Sequence, residues 1–196
     1  TGRMAQTVTP TAAIPLYGRS ADNIRDHRHV TSLLHRIETT DTGVLVTPTL
    51  SFDERGHQVN HMTYYCVGWS GNGEKPVDFY PTAEDFVGEG GNFERPYAIV
   101  KNAEGVKAGT KIEGLEAVGG LHFSEITLEP EEECSYLIFT GITEDIQEIR
   151  NLSKTYTTRE KVLEELEKTK AYWQEKVNVA YHTGDSDFNQ FMHWVS

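Results

Sequence analysis

Residues 44–69 read VLVTPTLSFDERGHQVNHMTYYCVGW, and their periodicity decides between helix and sheet. Val44, Val46, Pro48, Leu50 and Phe52 alternate with Leu45, Thr47, Thr49 and Ser51. That is a period of two with one apolar face, as in a half-covered strand. Asp53-Glu54-Arg55-Gly56 follows and reads as a tight turn, since Asp bonds its own backbone and Gly accepts positive φ. Met62 to Trp69 is then aromatic and β-branched on both faces, which predicts a strand covered on two sides.

The same signals continue outward. Gly71-Asn72-Gly73 closes the run, and residues 75–96 form a long connection punctuated by proline and glycine. Tyr97 to Lys101 reads as a short strand. Leu121 to Leu128 and Cys134 to Thr140, joined by Glu129-Pro130-Glu131-Glu132, read as a hairpin. Strands separated by turns, with no helical pattern between them, predict a mainly β chain built as an antiparallel β-sandwich.

The pattern changes after Gly141. Ile142, Ile146 and Ile149 fall at helical spacing, with Glu144 and Asp145 in the first turn, where carboxylates favour the helix dipole. Thr157 and Glu160 match a capping box. Val162, Leu163, Leu166, Trp173 and Val177 then mark one face of a helix of about 20 residues. Asp185 to Ser196 places Phe188, Phe191, Met192 and Val195 on one further helical stripe, with a start signal at Asp185 or Ser186 and no stop signal. The expected organisation is residues 1–13 disordered or left from an expression tag, and 14–141 a β-sandwich, whole or in part. Residues 142–184 are expected to be a helical linker, and 185–196 the first helix of a domain not included.

The chain of 196 residues holds 30 acidic residues against 18 basic, a net charge of −12. That sign opposes phosphate backbones and anionic membranes, so neither nucleic acid nor membrane is an expected partner. No apolar run approaches the roughly 20 residues that span a bilayer. Cys66 and Cys134 each sit in an apolar run, and two buried thiols in a reducing, cytoplasmic setting are expected.

Candidate sites are few. His27 and His29, beside Asp26, could ligate a metal from one strand, with His35 and His122 as further imidazoles. No third ligand stands at metal-site spacing, and a polar strand edge is the simpler reading, so no metal is expected. Arg19, Arg25, Arg28 and Arg36 form the one basic region; they suit either an anion held by Arg25 and its neighbours or salt bridges to the acidic majority. The loop Phe86 to Phe93 (FVGEGGNF) lacks the GK[ST] of a phosphate loop. Its Glu89 and Asn92 could bond sugar hydroxyls or line an interface; otherwise the loop is a structural turn. Trp69, Trp173 and Trp194 are sugar-stacking candidates, with core packing the plainer use. No nucleophile–base pair stands at a recognisable spacing, so no catalytic residue is assigned.

Four stretches taken in order add a resemblance: FDERGHQVNHMTYYCVG at 52–68, DFVGEGGNFERPYAIVKN at 85–102, EGLEAVGGLHFSEITLEPEEECSYLIFTG at 113–141 and KTKAYWQEKVNVAYHTGDSDFNQFMHWVS at 168–196. Over about residues 14–196 the chain resembles the N-terminal β-sandwich and linker of glycoside phosphorylases of glycoside hydrolase family 94, leaning to the 1,2-β-oligoglucan type beside the cellobiose type. The resemblance implies a super-sandwich, a helical linker and an (α/α)6 barrel beyond this chain. In that barrel a carboxylic acid protonates the glycosidic oxygen while inorganic phosphate, the co-substrate, attacks the anomeric carbon from the opposite face, as water does in an inverting glycosidase. No resident cofactor is implied, and no catalytic residue is carried over.

The expected role is a noncatalytic scaffold for that barrel and a subunit interface. Expected partners are the chain's own barrel, a β-glucan oligosaccharide and a second copy in a homodimer. A carbohydrate-binding module with its own glycan site is the alternative, and a structural adaptor without sugar contact is a third. The parent is expected to be a glycosyltransferase, and this piece alone inactive.

Overall fold

The computed structural model describes residues 3–18, 30–53, 56–176 and 180–195. Its main feature is a pair of antiparallel sheets. The larger has the order β12-β7-β4-β3-β9: Tyr136–Thr143, Thr63–Ser70, Gly43–Val46, Arg36–Thr39 and Lys111–Glu113. The smaller has the order β2-β10-β8: Thr11–Leu16, Ala117–His122 and Asp78–Thr82. Two-stranded ribbons join β1 (Gln6–Val8) to β11 (Ile126–Leu128) and β5 (Leu50–Asp53) to β6 (Gly56–Val59).

The core lies between the sheets. Ile37, Val44, Val46 and Cys66 from the larger meet Leu16, Phe79, Ala117 and Leu121 from the smaller, with Phe123 at the end of β10. Burying each of the larger aliphatic or aromatic side chains is worth about 1.5–3 kcal/mol. β7 is covered on both faces, as its two-sided apolar sequence requires. Cys66 joins the inter-sheet core, while Trp69 on the other face stacks on Phe139 at 5.1 Å and donates its indole N–H to the Tyr156 carbonyl at 2.7 Å. Burial raises the Cys66 thiol to about 12, which makes it inert as a thiolate. Cys134 is exposed, contrary to the expectation of two buried thiols, because it lies in the connection between β11 and β12, outside both sheets.

Glycines set how closely the sheets approach. A Cβ on Gly119 of β10 would overlap Cys66 Cβ and lie 2.9 Å from its Sγ. The Cys66 side chain therefore packs directly on the β10 backbone, where only glycine fits.

Several local expectations are corrected. Residues 6–8 and 11–16 are strands, although 1–13 was expected to be disordered or left from an expression tag. Their weak pattern reflects edge positions, and Pro15, which cannot donate, sits on edge strand β2 opposite Val118. Val44 to Phe52 is two strands, β4 fully buried and β5 paired only with β6, with Pro48 between them. Tyr97–Lys101 is a helix, α2, following α1 at Ala83–Val87. Pro96 presets its first turn, Asn102 ends it at φ 48°, and Ala98 is buried against the cluster of Tyr80, Phe86 and Val118. That burial overrides the β-propensity of its isoleucine and valine.

The Glu129–Glu132 turn exists, with Glu132 N–H bonded to the Glu129 carbonyl at 3.0 Å, but it makes no hairpin. β10 ends at His122, β11 pairs with β1, and β12 pairs with β7 over eight residues. Ile142 belongs to β12, so α3 (Ile146–Thr155) begins one turn later than its spacing predicts, capped by Asp145, whose Oδ1 accepts from Gln147 N–H at 2.8 Å.

The chain divides into two compact units at residues 159 and 160. Beyond that point α4 (Arg159–Lys176) carries ion pairs such as Glu164–Lys168 at 2.9 Å and Glu167–Lys170 at 2.6 Å. α5 (Ser186–Val195) starts where the sequence predicts, with Asp185 Oδ1 accepting from Asp187 N–H and Phe188 N–H at 2.9 and 3.0 Å. No described helix is long and apolar enough to cross a membrane.

Candidate functional site

β8 runs straight into α1 and the glycine loop, and the sequence explains each step. Thr82 caps α1: its hydroxyl accepts from Asp85 N–H at 3.0 Å and donates to Asp85 Oδ2 at 2.7 Å. Gly88 ends the helix at φ 81°, and a Cβ there would stand 2.6 Å from Tyr97 Cβ. Asn92 Oδ1 then accepts from Glu94 N–H and Arg95 N–H at 3.0 and 3.1 Å, an Asx-type turn that redirects the chain to Pro96 and α2. The loop is thus a helix–turn–helix connector with a defined shape.

Two adjoining hollows open on it. One, of about 340 Å³, is lined by Tyr80, Glu84, Glu89, Tyr97 and Glu104 among others. The other, of about 420 Å³, shares Glu84, Gly88 and Glu89 and adds Val87, Asn92 and Phe93. Glu89 is exposed and makes no bond within the described residues. The Asn92 amide N–H groups have no partner among the described residues, while the oxygen is committed to the turn. Carboxylates that accept, an amide and the Tyr97 phenol that donate, and an exposed aromatic face are the groups that bond neutral polyols. Grouped carboxylates oppose a phosphate at this place.

Beneath the cleft lies a buried polar cluster. Asp78 and His122 stand directly opposite each other on β8 and β10, with His122 Nδ1 2.6 Å from Asp78 Oδ1. A carboxylate only accepts, so Nδ1 carries the proton. Lys107 Nζ approaches Asp78 Oδ2 at 3.8 Å and donates to the Val77 carbonyl at 3.3 Å. Tyr80 donates its O–H to the Ala103 carbonyl at 2.6 Å and lies 3.4 Å from His122 Nδ1. Burial, with the Asp78 carboxylate adding to it, pushes the Tyr80 phenol up to about 12, so it stays a protonated donor at neutral pH. The cluster ties the floor of the cleft to strands β8 and β10 of the smaller sheet.

Of the residues expected from sequence, Glu89 and Asn92 come together on the cleft rim. Arg25, with Arg19, Arg28, Asp26, His27 and His29, lies outside the described residues, as do Val177 and the side chain of Trp194. Arg36 follows the salt-bridge reading, with Nε 3.4 Å from Glu113. His35 is buried between the carbonyls of Tyr17 and Leu115 at 3.0 and 3.2 Å, and desolvation lowers its pKa. Among the described residues no group of three or more potential ligands could hold a metal. Trp69 is core, whereas Trp173 is exposed; core packing was expected, but α4 buries none of its residues. The sequence reading missed Asp78, Tyr80, Tyr97 and Glu104. Asp78 and His122 are brought together only by strand register, which no short-range pattern records.

A family model described as the glycosyl hydrolase 94 supersandwich domain matches residues 8–159. No curated protein matches the chain.

Proposed function

Starting from the fact that the chain belongs to the glycosyl hydrolase 94 supersandwich family, we propose that it is the noncatalytic β-sandwich and helical linker of a cytoplasmic phosphorylase that cleaves β-glucosidic linkages with inorganic phosphate. Its role is to scaffold a catalytic (α/α)6 barrel and a homodimer interface, and to edge the channel that admits a β-glucan oligosaccharide. No resident cofactor takes part in this reading. Phosphate acts in the barrel as co-substrate.

The observation that carries the sugar contact is the cleft beside the glycine loop. Its open carboxylate Glu89 and the exposed ring of Tyr97 suit hydroxyl groups and disfavour anions. The same cleft favours the second reading, a binding module with its own glycan site. The two part on affinity. A module binds β-gluco-oligosaccharide as this isolated chain, whereas a channel edge needs the barrel as its other wall.

Two results are expected. Incubated with β-glucan and phosphate, the 196-residue chain alone releases no sugar 1-phosphate above a buffer blank; release above the blank ends the noncatalytic reading. In the whole enzyme, Glu89→Ala raises KM about 2- to 13-fold with the melting temperature unchanged, the loss of one hydroxyl bond of about 0.5–1.5 kcal/mol. Asn92→Ala also frees Glu94 N–H and Arg95 N–H, so it changes KM and loosens the loop. Wild-type kinetics in Glu89→Ala would return the loop to a purely structural turn.

A further inference from the structure

The larger sheet ends on one side in a strand with no further strand beside it. β12 pairs with β7 over 8 residues without a bulge, and it is the last strand in the sheet order. Its bonding parity follows from its neighbour. Gly68 of β7 donates its N–H at 2.8 Å to the carbonyl of Thr42, on the β4 side. In an antiparallel ladder its mate Ile138 therefore turns both backbone groups away from β7, and so do Tyr136, Thr140 and Ile142. Among the described residues no other backbone group meets them. α3 lies over the sheet instead of beside it, since Ile146 and Ile149 line a groove with Leu45 of β4.

The other outer strands of the two sheets are each protected. β9 is 3 residues long, and its Lys111 and Glu113 are in ion pairs with Glu38 and Arg36. β2 carries Pro15. Phe79 of β8 exchanges both backbone bonds with Val106, at 2.9 and 2.8 Å. β12 reads YLIFTGIT. It has no charge, no proline and no bulge, the devices that ordinarily keep an edge from pairing.

We propose that the free edge of β12 is where a second copy of this chain adds, strand to antiparallel strand, about a two-fold axis at Phe139. The choice of occupant rests on the homodimer reading above and on the symmetry of the strand itself. With the axis at Phe139, Ile138 faces Thr140 of the second copy and Tyr136 faces Ile142. All four turn their backbone groups outward, so each pair exchanges two backbone bonds. Phe139 meets its own copy as a cross-strand aromatic pair. One such edge per chain closes the assembly at a dimer. Acidic residues flank the strand, Glu132 and Glu133 before it and Glu144 and Asp145 after it. In the pair each group faces the other. Their repulsion confines pairing to the uncharged stretch, and salt screens it.

The test is sedimentation equilibrium of the 196-residue chain. A reversible dimer is expected, tighter in high salt. Thr140→Lys sets an ammonium group from each copy beside the axis and should weaken the dimer at least about tenfold. The Thr140 side chain is exposed, so the melting temperature should match wild type. Gln58→Lys adds the same charge on the exposed strand β6 and should leave the dimer unchanged. Register is read separately in the unsubstituted chain, by a nitroxide on the exposed thiol of Cys134, Cys66 being buried. With the axis at Phe139 and a rise of about 3.3 Å per residue, the two labels should stand roughly 33 Å apart by double electron–electron resonance. Three results overturn the proposal: a monomer at every concentration, a dimer that Thr140→Lys leaves intact, or a label distance far from that value. If the whole enzyme is dimeric in any of these cases, the homodimer reading stands and only this interface falls.

Discussion

Gly119→Ala is expected to destabilise the sandwich by about 3 kcal/mol, the upper range for overpacking a tight core. The added methyl would overlap Cys66 Cβ on the facing sheet, and neither backbone can withdraw without breaking ladder bonds on both sides. For a chain of this size the melting temperature should fall by about 6–12 °C. The pairwise origin can be isolated. Cys66→Gly removes the atom that the methyl meets, so the double variant should cost clearly less than the sum of the singles, whereas Cys66→Ala, which keeps its Cβ, should give no relief. Additive losses in the Cys66→Gly pair would show that the close approach is not the cause.

Asp78→Ala is expected to be of similar size, about 3 kcal/mol, the upper range for leaving a buried donor without its partner. The carboxylate is the acceptor for His122 and the counter-charge for Lys107. Its removal leaves the imidazole N–H without a partner in the middle of the β8–β10 ladder. Asp78→Asn keeps an acceptor oxygen and should cost less. The loss should reach the cleft as well, because Tyr80 packs on His122 with ring centroids 5.6 Å apart. Urea denaturation followed by circular dichroism measures it. A change within about 0.5 kcal/mol, the scale of an ordinary surface substitution, would mean that the cluster is incidental to the fold.

Much of the architecture was legible where local and global demands agree. β7 reads as a two-sided strand because both of its faces are buried, and Asp145 and Asp185 cap their helices through bonds that span only two or three residues. Legibility failed where a tertiary contact outweighed propensity. YAIVK carries a strand composition and becomes a helix because Ala98 is needed against Phe86 and Tyr80. The 121–140 segment has the composition of a hairpin, yet its strands go to different sheets because β12 completes the edge of the larger one.

The candidate sites divide in the same way. Glu89 and Asn92 were visible as polar residues in a glycine-rich loop, since a turn rich in glycine announces itself within a few positions. The exposed Tyr97 ring beside the loop and the Asp78–His122 pair were not visible.

By itself the sequence determined a mainly β chain ending in helices, its turn positions and helix starts, and the negative field that turns phosphate away from most of its surface, because these depend on residue type and spacings of a few positions. The tertiary structure alone decided which strands pair, that Gly119 must be glycine, and that Glu84, Glu89 and Glu104 gather around one cleft. Those outcomes depend on contacts between residues tens of positions apart, whose register is chosen by burial of the whole core.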